Sequence, residues 1–143
     1  MRNAVRAAVA GLLLALACLP AFGGDPASAA AASPQAKAYE ALQKAIAAGD
    51  YEGLRHCMSK ATLEKMDGQT RELNLDPKKM MELMKMLALT EVEFKNLKVE
   101  GKTATLEATG KLEGEANRGT IVFSDEDGRW KIDSESWTNT PEK

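Results

Sequence analysis

Residues 91–112 read EVEFKNLKVEGKTATLEATGKL, and it is here that the apolar period of the chain changes from helical to two. Val92 and Phe94 share one parity, whereas Leu97 and Val99 fall on the other. A phase slip of this kind predicts a β-bulge near Lys95-Asn96, one extra residue that bends the strand. Glu100-Gly101-Lys102 reads as a tight turn. Beyond it Ala104, Leu106, Ala108 and Leu112 alternate with Thr103, Thr105, Glu107, Thr109 and Lys111, a half-buried strand with small residues inward. Residues 114–119 read as a connection, 120–124 as a third strand, and Asp125-Glu126-Asp127-Gly128 as an acidic hairpin turn. A fourth strand over 129–133 sets Trp130 and Ile132 on one face and has the composition to run on to Trp137.

Upstream the apolar positions keep helical spacing. Ser33-Pro34 combines a capping hydroxyl with Pro at the first helical position, where the missing N–H goes unused. Ala38, Tyr39, Leu42, Ala45 and Ile46 then form one stripe, ended by Gly49. Asp50 can cap a second helix carrying Tyr51, Leu54 and Met58; Ser59 can cap a third carrying Leu63 and Met66, with its stop at Gly68. Asp76-Pro77 repeats the cap-plus-proline signature before Met80, Leu83, Met84 and Leu87, flanked by Met81 and Ala88, with Met86 on the polar side. Helices followed by an antiparallel meander define an α+β domain, its N-terminal helices packed on a curved, cone-like sheet.

The first residues point to export. Arg2 and Arg6 precede an apolar run over 7–17, about half the roughly 20 residues that span a bilayer. Pro20 and Ala21-Phe22-Gly23 complete a secretory signal cleaved after Gly23. Ala15-Leu16-Ala17-Cys18 offers an alternative, a lipobox in which Cys18 is lipidated and holds the protein on a membrane. The expected organisation is therefore a signal peptide over 1–23, an Ala-rich tether over 24–33 and one domain over 34–143. The product is periplasmic or secreted, and membrane-attached only if lipidated.

The chain has 19 Lys and Arg against 21 Asp and Glu, and loss of the signal removes two of the arginines. The mature surface is mildly acidic with no basic cluster, which argues against a nucleic-acid partner. Cys57 would stand alone, so no internal disulfide supports the fold and the core must hold it.

Two stretches carry a family likeness. One runs from Ala38-Tyr39 through Ala47-Ala48-Gly49-Asp50-Tyr51, with Leu54 and Ser59-Lys60-Ala61-Thr62-Leu63. The other is Asp127-Gly128-Arg129-Trp130-Lys131-Ile132-Asp133, preceded by the Gly101 turn and Thr103-Ala104-Thr105-Leu106. In order and spacing they resemble the nuclear transport factor 2-like superfamily, specifically its small bacterial exported and lipoprotein members of unknown function. The resemblance implies helices across a bent sheet with a cavity between them. It implies little about activity, because relatives include isomerases, dehydratases, adaptors and binding modules.

The inferred inward positions are apolar, so no catalytic residue is carried over, and no cofactor or metal is expected. His56 is the only histidine, which excludes a Ser-His-Asp or His-pair site. A Cu(I) site from His56, Cys57, Met58, Met80, Met81, Met84 and Met86 is a lesser alternative, since neighbours on a helix diverge by about 100° and cannot share one ion. The expected function is a non-catalytic envelope binding or interaction module, holding a small apolar ligand or a protein partner in a cavity or on the sheet face. Tyr39, Phe94, Leu106 and Trp130 are the expected cavity residues. A small isomerase or dehydratase is the alternative, requiring a phenol or carboxylate in the cavity; a homodimer packed sheet to sheet is a third reading.

Overall fold

A computed structural model describes residues 25–140. Five helices precede four strands: α1 Pro26–Ala31, α2 Pro34–Ala48, α3 Tyr51–His56, α4 Lys60–Glu72 and α5 Pro77–Met86, then β1 Thr90–Glu100, β2 Thr103–Leu112, β3 Glu115–Glu126 and β4 Arg129–Asn139. The strands pair antiparallel in sequence order as an open meander, and the fold is α+β as expected.

Local chemistry sets the helix starts. The side chains of Ser33, Asp50, Ser59 and Asp76 each accept the backbone N–H three residues on, and Pro follows two of these caps directly. Gly49 closes α2 at φ 68°, the left-handed conformation that only a residue without Cβ adopts freely. α4 does not stop at Gly68 but continues to Glu72. Gly is merely a poor helix former, and without a left-handed φ it does not end one.

Three expectations are corrected. The segment read as a tether contains α1, capped by Asp25 and begun by Pro26, with Ala30 in the core. The consecutive residues Val92 to Lys95 line the groove beside α1, so the helix runs along the outer edge of β1 and shields it. The connection expected over 114–119 is strand: Glu113-Gly114 alone makes the turn, both at positive φ, and Leu112 pairs with Glu115. Gly119 lies inside β3 because the Trp137 ring covers it, and a Cβ there would collide with the indole. Finally, α5 is rotated from its expected phase. Met81 is buried while Leu83 and Leu87 are 44% and 66% exposed. Met81 lines the corner beside Gly49 and Tyr51.

The bulge in β1 lies where expected. The register slips between Phe94 and Asn96, so Phe94 opposite Ala108 and Leu97 opposite Leu106 both face inward. The β1 register also slips between Thr90 and Glu93, and a further bulge lies in β4. Val122 pairs with Ser134 and Phe123 with Ile132, leaving Asp133 without a partner. Side chains beyond Asp133 therefore change face, and Ile132, Glu135 and Trp137 all look toward the helices.

The core lies between α2 and the sheet. Leu106, Ile121 and Phe123 are fully buried, and Ala104 and Ala108 let the helix approach closely. Trp130 is half-buried against this core. Residues 57–59 cover the outer edge of β4, with Ser59 N–H donating to Ile132 O at 2.9 Å and Ile132 N–H to Cys57 O at 2.8 Å.

Two glycines test this packing. Gly119→Ala should destabilise the fold by about 1–3 kcal/mol through overpacking. Gly68→Ala, with open space around it, should stabilise by about 0.5–1 kcal/mol. Urea denaturation measures both; equal midpoints for Gly119→Ala and the parent would mean the indole does not cover this position.

Candidate functional site

The largest hollow described lies where α2 and α5 diverge above the sheet. It encloses about 530 Å³ and reaches the start of β1 and the second half of β4. Five parts of the chain line it: Tyr39, Leu42, Gln43, Ile46 and Ala47 of α2; Met84 and Lys85 of α5; Leu87, Ala88 and Leu89 of the link; Thr90, Glu91 and Val92 of β1; and Glu135 of β4. Most of the wall is aliphatic. The amide of Gln43 ties α2 to the link by donating to Leu89 O at 3.5 Å.

One end is polar. Tyr39 is buried between the two outer strands, its ring edge-on to Phe94 at 6.1 Å and tilted toward Trp137 at 6.5 Å. Contact with both brings β1 and β4 toward each other over α2. Beside the phenol lies Glu135, whose carboxylate accepts the Trp137 indole N–H at 3.2 Å. Burial first, and then the Glu135 charge, hold the Tyr39 phenol far above the usual tyrosine range, so it stays protonated.

The opposite end is cationic. From Tyr39 to Ala47 the helix advances about 12 Å at roughly 1.5 Å per residue, and there Lys85 lines the wall. Its Nζ lies 3.7 Å from where a Cβ would stand on Gly49, at the C-terminal end of α2, the negative end of the helix dipole. Glu91 at the rim is paired with Lys111 at 2.7 Å.

Of the four residues expected in the cavity, only Tyr39 lines it. Phe94 supports Tyr39 from the β1 side and lines the groove under α1. Leu106 is fully buried core, and Trp130 packs at the other end of β4. The structure thus joins Tyr39 to Phe94 and separates both from Trp130. Glu135 and Trp137 were missed. A parity slip between Ile132 and Trp137, of the same kind as that between Phe94 and Leu97, was the signal that could have found them.

The other candidates do not converge. His56 is exposed, Cys57 is half-buried at the end of α3, and Met58 bridges to Ile132, whereas Met81 is buried and Met86 is 70% exposed. Burial raises the Cys57 thiol pKa, and the nearby Lys131 charge only partly opposes this, so the thiolate is disfavoured. Among the described residues no group of three or more His, Cys, Asp and Glu is placed to hold a metal ion, and no helix is long and apolar enough to cross a membrane. The signal and lipobox readings fall in residues 1–23, outside the described residues. The outward sheet face is mainly polar, with Thr105, Thr120, Ser134 and Ser136 around Val122 across its middle. Compared with known proteins, the chain matches no family model and no curated protein.

The Tyr39 environment has a pH consequence. Its folded-state pKa lies above the unfolded value of about 10, so its contribution to stability is complete below that pH and is lost as pH rises past it. Tyr39→Phe should therefore lose less stability than the parent above pH about 10. It should also leave the phenolate absorbance at 295 nm that appears before unfolding unchanged. A drop in that pre-unfolding absorbance would show that Tyr39 titrates in the folded state.

Proposed function

We propose that this protein is an exported binding module of the cell envelope, built on the nuclear transport factor 2-like plan, which holds a small, mainly apolar ligand between α2, α5 and the sheet. The observation that carries the reading is the mainly aliphatic hollow of about 530 Å³, with Tyr39 and Glu135 at one end and Lys85 at the other. Its size and lining are those of small-molecule sites. Helices laid over a bent meander with a cavity between them support the family plan. The polar outward face offers a weaker purchase for an apolar partner.

The enzyme alternative has one foothold, the phenol of Tyr39 beside the carboxylate of Glu135. General acid–base work favours a pKa near the working pH. Burial and the neighbouring charge move Tyr39 away from it, so the pair serves better as a fixed hydrogen-bonding end than as a proton shuttle.

Ala88 lines the hollow yet is exposed, so it can be enlarged without entering the core. Ala88→Trp should weaken binding of the neutral dye N-phenyl-1-naphthylamine at least tenfold, with the urea midpoint unchanged. Undiminished dye binding would place the dye elsewhere and remove the cavity from the proposal.

Export is checked separately. Intact mass spectrometry of protein recovered from the host envelope should give an N-terminus near residue 24, or an acylated Cys18. A full-length chain retained inside the cell would end that part of the reading.

A further inference from the structure

The polar end of the cavity owes its position to a defect in pairing. With regular alternation from Ile132, residues 134 and 136 would face the helices and Glu135 would face away. The unpaired Asp133 reverses this and brings the exposed Glu135 carboxylate to one end of a mainly aliphatic wall, whose other polar members are Gln43, Lys85, Thr90 and the Lys111-paired Glu91. Bulges that re-aim a side chain in this way are over-represented beside binding and active sites.

The carboxylate is held on one side and open to solvent on the other. Trp137 donates one N–H to Oε2 and the Tyr39 phenol lies alongside. An ionised carboxylate offers about four lone-pair positions, so acceptor capacity remains toward the hollow. Lys85 is the one cationic residue lining the hollow, and its Nζ is drawn to the far end of α2. A positive group beside Glu135 therefore meets no like charge nearby. An anionic head would have to sit at the Lys85 end and make no use of the solvent-open Glu135 carboxylate.

We infer that the ligand is a basic amphiphile: an aliphatic body filling the hollow and a primary ammonium group seated on Glu135. This rests on the cavity reading and goes further by assigning the head group and its orientation. Glu135 is the specificity-determining residue, and Trp137 positions it.

Three probes with the same eight-carbon body separate the possibilities: octylamine, octanol and octanoate. They are titrated calorimetrically at pH 7 into the protein purified from cells expressing the full chain. Octylamine should bind at least tenfold more tightly than octanoate. Glu135→Gln should bring octylamine to within about threefold of octanol while leaving octanol binding as it was, which also shows that the variant is folded. Lys85→Gln should leave the amine preference intact.

Equal affinities for amine and carboxylate, or a preference for octanoate, would overturn the head-group assignment and leave the cavity standing. A preference that survives Glu135→Gln would do the same. Binding of none of the three would overturn the cavity reading itself, and this inference with it.

Discussion

Asp133 has no partner across the β3–β4 ladder, and its own groups bind elsewhere. Its carboxylate accepts the Ser59 hydroxyl at 2.7 Å, and its carbonyl accepts the Thr62 hydroxyl at 2.5 Å. Ser59 is also the cap of α4, so the bulge and the helix start are fastened by the same hydroxyl. Glu126 adds a second tie by accepting the Lys60 backbone N–H at 3.1 Å. A negative group at a helix N-terminus meets the unpaired N–H groups and the positive end of the dipole. The extra residue is therefore held as part of a hydrogen-bonded joint, and the change of face that follows it is built into the fold.

From that joint the inner architecture follows by geometry. Ile132 goes into the core on one side of the bulge; Glu135 and Trp137 face the helices on the other. Trp137 needs a flat place to lie, which Gly119 provides on the neighbouring strand. Tyr39 then fits between Trp137 and Phe94, so one side chain of α2 touches both outer strands. The bulge at Lys95 does on β1 what Asp133 does on β4, keeping apolar side chains inward on both sides of a bend. Curvature and cavity thus share a cause. A sheet bent by bulges in both outer strands leaves room under them that a single helix cannot fill.

Much of this was legible in the sequence, because capping and strand alternation are local. Ser33-Pro34, Asp50, Ser59 and Asp76-Pro77 set the helix starts where their chemistry indicates, and the slip between Phe94 and Leu97 revealed its bulge. What was lost had a long-range cause or a short signal. The run Ser134-Glu135-Ser136 is polar on either face, so alternation there says nothing about which way Glu135 points. Gly119 reads as a loop residue until an indole from another strand is placed on it. The roll of α5 depends on which methionine enters the corner by Tyr51, and the stripe of Met80, Leu83, Met84 and Leu87 left Met81 as a flanking residue, although it is the one buried. α1, by contrast, was announced: Asp25-Pro26 is the same signature as Asp76-Pro77, obscured by the surrounding alanines. Of the site, Tyr39 was legible and its acidic neighbour was not.

The position of the hollow also follows from what the helices leave uncovered. α2 closes over the centre of the sheet through small inward residues, Ala104 and Ala108, where helix and strand can nearly touch. Toward the β1 side the link over 87–89 must carry the chain from α5 down to the sheet, and it lifts α5 away from α2 as it does so. Leu87 is 66% exposed at that rim, and Met86 beside it 70%. Exposed large apolar groups on a small domain leave hydrophobic stabilisation unused, at roughly 25 cal/mol per Å² of apolar area. A sequence selected for stability alone would roll α5 to bury Leu83 and Leu87. Met81 is buried instead, and Leu87 stays exposed on the mainly aliphatic wall that Glu135 also lines. Local preference and global packing disagree there, and such disagreements in natural proteins fall at functional sites.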